Sequence, residues 1–554
     1  MIRPTMNINR LLCGTLYFVL CTYSAFAQMN NVVEVENTYA PTLRDVDKIQ
    51  LLPPVPSPVL KHRSVQYDTT LQPTRQYSFQ PMTAAQSDAA DTGERRGFLT
   101  LGGGSAGQLD LRGTYGLRLT DADLLDFSLS LRGYSARVQD AWDTDDEVDT
   151  RFYSTRGAVR YEHRFAPLTS LVVGAEGESQ VMDGQHNTLL GIQAQLTPYS
   201  LGDFSLGGGL GYEFFGQKYH TNPLISGKKN QESHFDARLN AAYALTDEQR
   251  IGLDLTADFY AYSFASFDAN NAFSLRPYYA YTDDDLLLTA GARLDFTSGV
   301  ERKFRVAPDV SLRYHATDAV TLFAGAGGGI VANDYRRFAQ LTPYWLFDPA
   351  FVGKNGTPQL AHQFDLLRAK AGVEWNLAEG LFARLYGGYD KSKERAELLT
   401  ATQLVQADGW RWYGHLDVDY RLRDTFAWKL SGEFNAWHSS YGADDDDHAE
   451  ATAWRPVIDL QTDITYRPVN RLSLGIDYAM QTFSTRSGLT YRRPTMHRLG
   501  ASASYRLPIE MLENQGRLLS AYVRADNLLG RHYDLYPAVR TPGANFMAGL
   551  SLTF

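Results

Sequence analysis

The chain has 554 residues, with 53 Lys and Arg against 63 Asp and Glu, a formal net charge of −10 and two cysteines. No basic patch stands out, and a net-acidic surface disfavours nucleic acid as a partner. Both cysteines, Cys13 and Cys21, fall within the first 27 residues; once these are cleaved, the remainder can have no disulfide, cysteine nucleophile or thiolate-bound metal.

Residues 1–27 read as a secretory signal peptide. Arg3 and Arg10 precede an apolar run from Leu11 to Cys21, and Ser24-Ala25-Phe26-Ala27 fits a small-x-small cleavage site. A lipid anchor would need a small residue before Cys21, where Leu20 stands. The mature chain is expected to start at Gln28, which leaves 51 basic residues against 63 acidic ones.

Residues 28–96 form a separate stretch, with Pro41, Pro53, Pro54, Pro56, Pro58, Pro73 and Pro81 and the single glycine Gly93. This is the texture of an extended periplasmic or lumenal segment. From Gly97 onward the chain alternates. Leu125, Phe127, Leu129 and Leu131 share one strand face while Asp126, Ser128, Ser130 and Arg132 share the other. Leu472, Leu474, Ile476, Tyr478 and Met480 are set likewise against Ser473, Gly475, Asp477 and Gln481. A soluble sandwich alternates too.

Three further features favour a membrane barrel. Tight turns at 120–123, 246–249, 317–318 and 467–470 interleave with long stretches at 137–150, 333–361, 392–407 and 440–452, the pattern of short periplasmic turns and long outer loops. Tyrosines such as Tyr161, Tyr243, Tyr281, Tyr314, Tyr420, Tyr466 and Tyr505 fall near strand ends, where an amphipathic ring suits the headgroup level. The chain finishes on the alternating run Phe546, Ala548, Leu550, Leu552 and Phe554. The expected fold is all-β: a transmembrane antiparallel barrel of about 22 strands over 97–554, with 20 as the fallback and strands of roughly 10 to 14 residues. The least regular of these runs are 97–105 and 267–282.

Two stretches near the end carry a family resemblance. Asp526-Asn527-Leu528-Leu529-Gly530-Arg531-His532-Tyr533 and Pro542-Gly543-Ala544-Asn545-Phe546 resemble the last two strands of TonB-dependent receptors, with Leu529 in place of the family's Phe and Ala544 in place of its Arg. Gly549, Leu552 and Phe554 resemble the closing signal that barrel-assembly machinery reads. The resemblance implies a 22-stranded barrel in outer-membrane lipid that takes up an unknown small-molecule substrate, driven by a periplasmic energy-coupling protein. It also implies a plug domain, whose pattern residues 28–96 lack. The alternatives are a plug-less passive pore or a structural partner of another envelope complex. Val32, Val33, Glu34 and Val35 resemble the family's energy-coupling segment, which would act by strand addition to the partner.

No catalytic, metal or cofactor site is expected. The acidic runs 143–147 and 444–447 lack the spacing of a calcium loop. His438, Ser439 and His448 lie close in sequence without an orienting third group, so the chain does not read as an enzyme. Trp345, Trp410 and Trp412 are candidate ligand-contact aromatics, against a competing reading as part of the interfacial girdle. Arg112, Arg132, Arg293, Arg384 and Arg524 are expected to line the lumen beside Asp110, Asp126, Asp295 and Asp526.

Overall fold

A computed structural model describes residues 96–139, 147–166, 169–182, 185–219, 229–263, 270–299, 302–341, 361–399, 404–441, 452–484, 493–536 and 539–554. The first strands are β1 (Gly97–Gly104), β2 (Leu109–Arg118), β3 (Asp123–Gln139), β4 (Glu147–Ala166), β5 (Thr169–Met182), β6 (Gln185–Leu201) and β7 (Phe204–Tyr219). Next come β8 (Lys229–Ala244), β9 (Gln249–Tyr262), β10 (Asn271–Thr282), β11 (Leu286–Ser298), β12 (Phe304–Thr317) and β13 (Val320–Val331). The helix α1 (Tyr335–Leu341) follows, then β14 (Gln363–Ala378), β15 (Leu381–Leu398), β16 (Leu404–Leu422), β17 (Phe426–Ser439), β18 (Ile458–Val469), β19 (Leu472–Thr482) and β20 (Met496–Arg506). A short helix α2 (Glu510–Glu513) leads to β21 (Leu518–Asp526), the hairpin β22 (Asp534–Tyr536) and β23 (Val539–Arg540), and finally β24 (Asn545–Thr553).

Each strand from β1 to β21 pairs antiparallel with its sequence neighbour, β21 pairs with β24, and β24 pairs with β1 over Phe98↔Thr553 to Gly104↔Met547. The ring is a closed 22-stranded barrel, so no edge is left to pair with another chain. Among the described residues, the first irregular run holds β1 and the second holds β10.

The burial pattern decides what the barrel sits in. The apolar residues are exposed, Leu129 by 51 %, Ile192 by 63 % and Ile476 by 52 %, while Asp110, Asp295 and Asn435 are buried. A soluble sandwich would show the reverse; an apolar outer wall around a polar lumen is what lipid demands. Tyr243, Tyr314, Tyr466 and Tyr505, all exposed, lie near the ends of β8, β12, β18 and β20, the first three beside short turns, forming a girdle at one end. We expect Leu129→Arg to cost about 2 to 4 kcal/mol, with Ser130→Asn on the opposite face nearly neutral, in unfolding titrations of the folded barrel. Equal tolerance of both would contradict the lipid-facing assignment.

Three sequence expectations change. The strands reach 20 residues in β4, longer than the 10 to 14 expected, so they project beyond the apolar band. For the same reason 392–407 is not a long loop: β15 runs to Leu398 and β16 begins at Leu404, with a bulge between Ser392 and Arg395 absorbing the irregular pattern. The stretch 333–361, expected as an outer loop, begins instead with α1, which is buried.

Candidate functional site in the barrel lumen

Because alternate residues of every strand face inward, the lumen wall carries the chain's polar half, and it is knit by ion pairs. Arg112 meets Asp110 at 3.1 Å, Arg293 meets Asp295 at 2.9 Å, and Arg384 meets Glu374 at 2.9 Å. Arg276 bridges Asp254 and Asp309, and Arg524 approaches Asp477 at 3.6 Å. Arg112 and Arg293 thus pair with aspartates expected beside them on the lumen wall, whereas Arg384 and Arg524 pair with Glu374 and Asp477. Arg411 is the densest hub. Its Nε lies 2.6 Å from Asp390, its Nη1 lies 3.2 Å from Glu433 and 3.0 Å from the Asn435 Oδ1, and its guanidinium stacks over Tyr413 at 4.3 Å.

At the long-loop end, two segments fold inward onto this wall. The first is the start of the β13–β14 connection. Asp334 accepts the Arg337 N–H at 2.6 Å and starts α1, after which Tyr335, Phe338, Ala339 and Leu341 are buried. The Tyr335 hydroxyl donates to Gln217 and accepts from the Asn230 side-chain amide at 2.9 Å, and its backbone N–H donates to Glu232 at 2.5 Å. Arg336 pairs with Glu213. On the other side, the Asn333 side chain donates to the carbonyls of Ala361 and Glu394 at 2.8 and 3.1 Å. Burial raises the Asp334 carboxyl above the ordinary carboxylate range, opposed by the hydrogen bond from Arg337. The second segment precedes β18. Arg455 reaches Glu397 at 2.5 Å and lies over Trp437 at 4.7 Å; burial draws its pKa down to about 10, so it stays cationic at neutral pH.

Toward the short-turn end the lumen keeps a cavity of about 1050 Å³, bordered by Arg96, Arg118, Asp126, Arg160, Glu176 and Glu213. Equal numbers of cationic and anionic side chains among these six suit a hydrated passage.

Several sequence-level candidates fall at the barrel's seam and on its outer face. Leu552 pairs with Leu99, and the Phe554 carbonyl accepts the backbone N–H groups of Arg96 and Gly97 at 2.8 Å. Gly549 faces inward beneath the Tyr522 ring. Trp412 is 57 % exposed beside Tyr389, and Trp410 stacks on His438 at 5.0 Å; both tryptophans share the strand face of exposed Leu416. Ser439, the residue after His438, therefore points to the opposite face. Trp345, Val32, Val33, Glu34, Val35 and His448 lie outside the described residues. Among the described residues, no three His, Cys, Asp or Glu side chains are grouped to hold a metal. The helix α1 was missed in the sequence, although Asp334 followed by Tyr335, Phe338 and Leu341 is a capped apolar pattern that could have signalled it.

No protein-family model and no curated protein matches the chain in sequence. Solved structures do match in fold. The copper transporter OprC aligns with a TM-score of 0.62 at 15% identity, over 85% of this chain and 82% of its own. The ferric enterobactin receptor PfeA of Pseudomonas aeruginosa gives 0.62 at 15%, over 85% and 81%. The FrpB iron transporter of Neisseria meningitidis gives 0.65 at 11%, over 84% and 82%. At such identities the likeness is one of fold, and the chain has the barrel fold of these transporters and receptors.

Proposed function

We propose that the chain is an outer-membrane uptake barrel of the TonB-dependent-receptor kind, moving a small polar solute inward through its lumen. The observation that carries this reading is the wall itself: a closed 22-stranded barrel whose inner face is ion-paired and polar around a cavity of about 1050 Å³. An aqueous path needs such a wall, whereas a purely structural barrel could fill its interior with apolar side chains. In this reading Val32–Val35 pairs by strand addition with a periplasmic energy-coupling partner.

Residues 28–96 are then the lumenal segment that restricts flow. The copper, enterobactin and iron named for the fold relatives make a scarce, polar nutrient the reasonable substrate class. Planar-bilayer recordings test the reading. The full mature chain should conduct weakly, and deletion of residues 28–96 should leave an assembled barrel with greatly increased conductance. Unchanged conductance would remove the segment from the gating role and favour an open passive pore or a barrel sealed by another protein.

A further inference from the structure

We infer that Asn333–Leu341 is a latch, seated inside the barrel, that narrows the conduit and is released as a unit; the inference rests on the uptake reading above. The segment leaves the wall at β13, yet its partners Glu213, Gln217, Asn230 and Glu232 lie on β7 and β8. Five strand spacings separate β8 from β13, an arc of about 30 Å along the wall of a tilted barrel. A stretch of chain with contacts at both ends of that arc passes inside the lumen as a chord. The Tyr335 ring lies 5.8 Å from that of the inward-facing Phe215, tilted by 47°, which fixes the side from which it docks.

The seat is built for release rather than for permanence. Among the described residues, its contacts with β7 and β8 include the hydrogen bonds of Tyr335 and the ion pair of Arg336 with Glu213. Only Tyr335 and Phe338 are large apolar groups buried almost completely. A helix of two turns is not stable alone in water, so α1 exists because the wall holds it. Loss of the Glu213 and Glu232 contacts therefore removes the reason for the helix as well as its position. The anchors on the far side, Asn333 to the carbonyls of Ala361 and Glu394 and Arg337 to the Ala332 carbonyl at 3.0 Å, stay with the β13–β14 side. They form the hinge end, and Tyr335 and Arg336 form the free end.

Thr256, on the inner face of β9 beside His234-paired Asp258, lies further from the long-loop end than Tyr260 and Tyr262 and reports on passage past the latch. With Cys13 and Cys21 replaced by serine, Thr256→Cys would be labelled from outside intact cells with a bulky, membrane-impermeant maleimide. Labelling should be slow in the otherwise unchanged chain. It should rise about tenfold or more with Arg336→Glu, since the half-buried ion pair becomes a like-charge contact with Glu213, and stay slow with Arg336→Lys. Heat-modifiable migration on gels checks assembly, and if Arg336→Glu does not assemble, Tyr335→Phe, which removes the hydroxyl contacts alone, is read in the same way. Fast labelling in the unchanged chain, or equal rates with and without the substitution, overturns the latch. Because labelling needs no ion current, a barrel that never conducts would count against the uptake reading while the latch is still decided by the rates.

Discussion

Replacing Arg411 by alanine is expected to destabilise the barrel by about 3 to 5 kcal/mol, the cost of leaving a shielded carboxylate without its partner. Asp390 and the Arg411 side chain are 5% and 9% exposed, so neither is well hydrated. The substitution also strips Glu433 and Asn435 of a donor and Tyr413 and Trp437 of a stacked cation. Lysine would not restore the site, because a single ammonium cannot reach several acceptors in the fixed geometry of a guanidinium. Unfolding titrations of the detergent- or lipid-folded barrel measure the loss. Adding Asp390→Asn should recover a substantial part of it, since the stranded charge is then gone; the difference between single and double variants is the coupling energy. A single variant within about 1 kcal/mol of the parent, the range of an exposed pair, would show that water reaches this wall freely and that the pairs do not hold it together.

The barrel was readable in the sequence because its governing constraint is local and periodic. Lipid on one side and water on the other impose a two-residue alternation, and Leu125 to Arg132 or Leu472 to Gln481 display it without help from distant contacts. Turn lengths then fix the parity of the ends. The lumenal partners were less readable. Arg384 and Arg524 were correctly placed on the inner face, but their choice of Glu374 and Asp477 depends on cross-strand register, which alternation does not specify. Strand length was underestimated because alternation weakens where β15 and β16 rise above the apolar band and bulge. The helix α1 escaped notice for a different reason. Its seven residues are too few for a periodic signal, and its contacts with Glu213, Gln217 and Glu232 span more than a hundred residues of sequence. Tertiary contacts of that separation decide where a loop goes and leave little trace in its own composition.

Closure of the ring supplies the last prediction: Gly549→Val should prevent assembly of a folded barrel. β1 and β24 pair over seven positions, with Gly102 opposite Gly549, and the ring of Tyr522, only 3 % exposed, fills the inner space above both glycines against Met547. A Cβ on Gly549 would fall well inside van der Waals contact of the Leu101 carbonyl and the Tyr522 ring, and a Cβ on Gly102 would strike the same hydroxyl. A tyrosine can swing away, but the Leu101 carbonyl belongs to the seam strand itself and can only move by opening the seam. An open seam exposes unpaired backbone groups to lipid at a cost of several kcal/mol each, which the short β1–β24 ladder cannot absorb. Gel migration with and without heating should therefore show Gly549→Val only at the unfolded position, and Tyr522→Ala in the same chain should not restore folding, because the carbonyl clash remains. Rescue by Tyr522→Ala would place the conflict in the side chain alone, and normal assembly of Gly549→Val would mean that the two strands meet in another register.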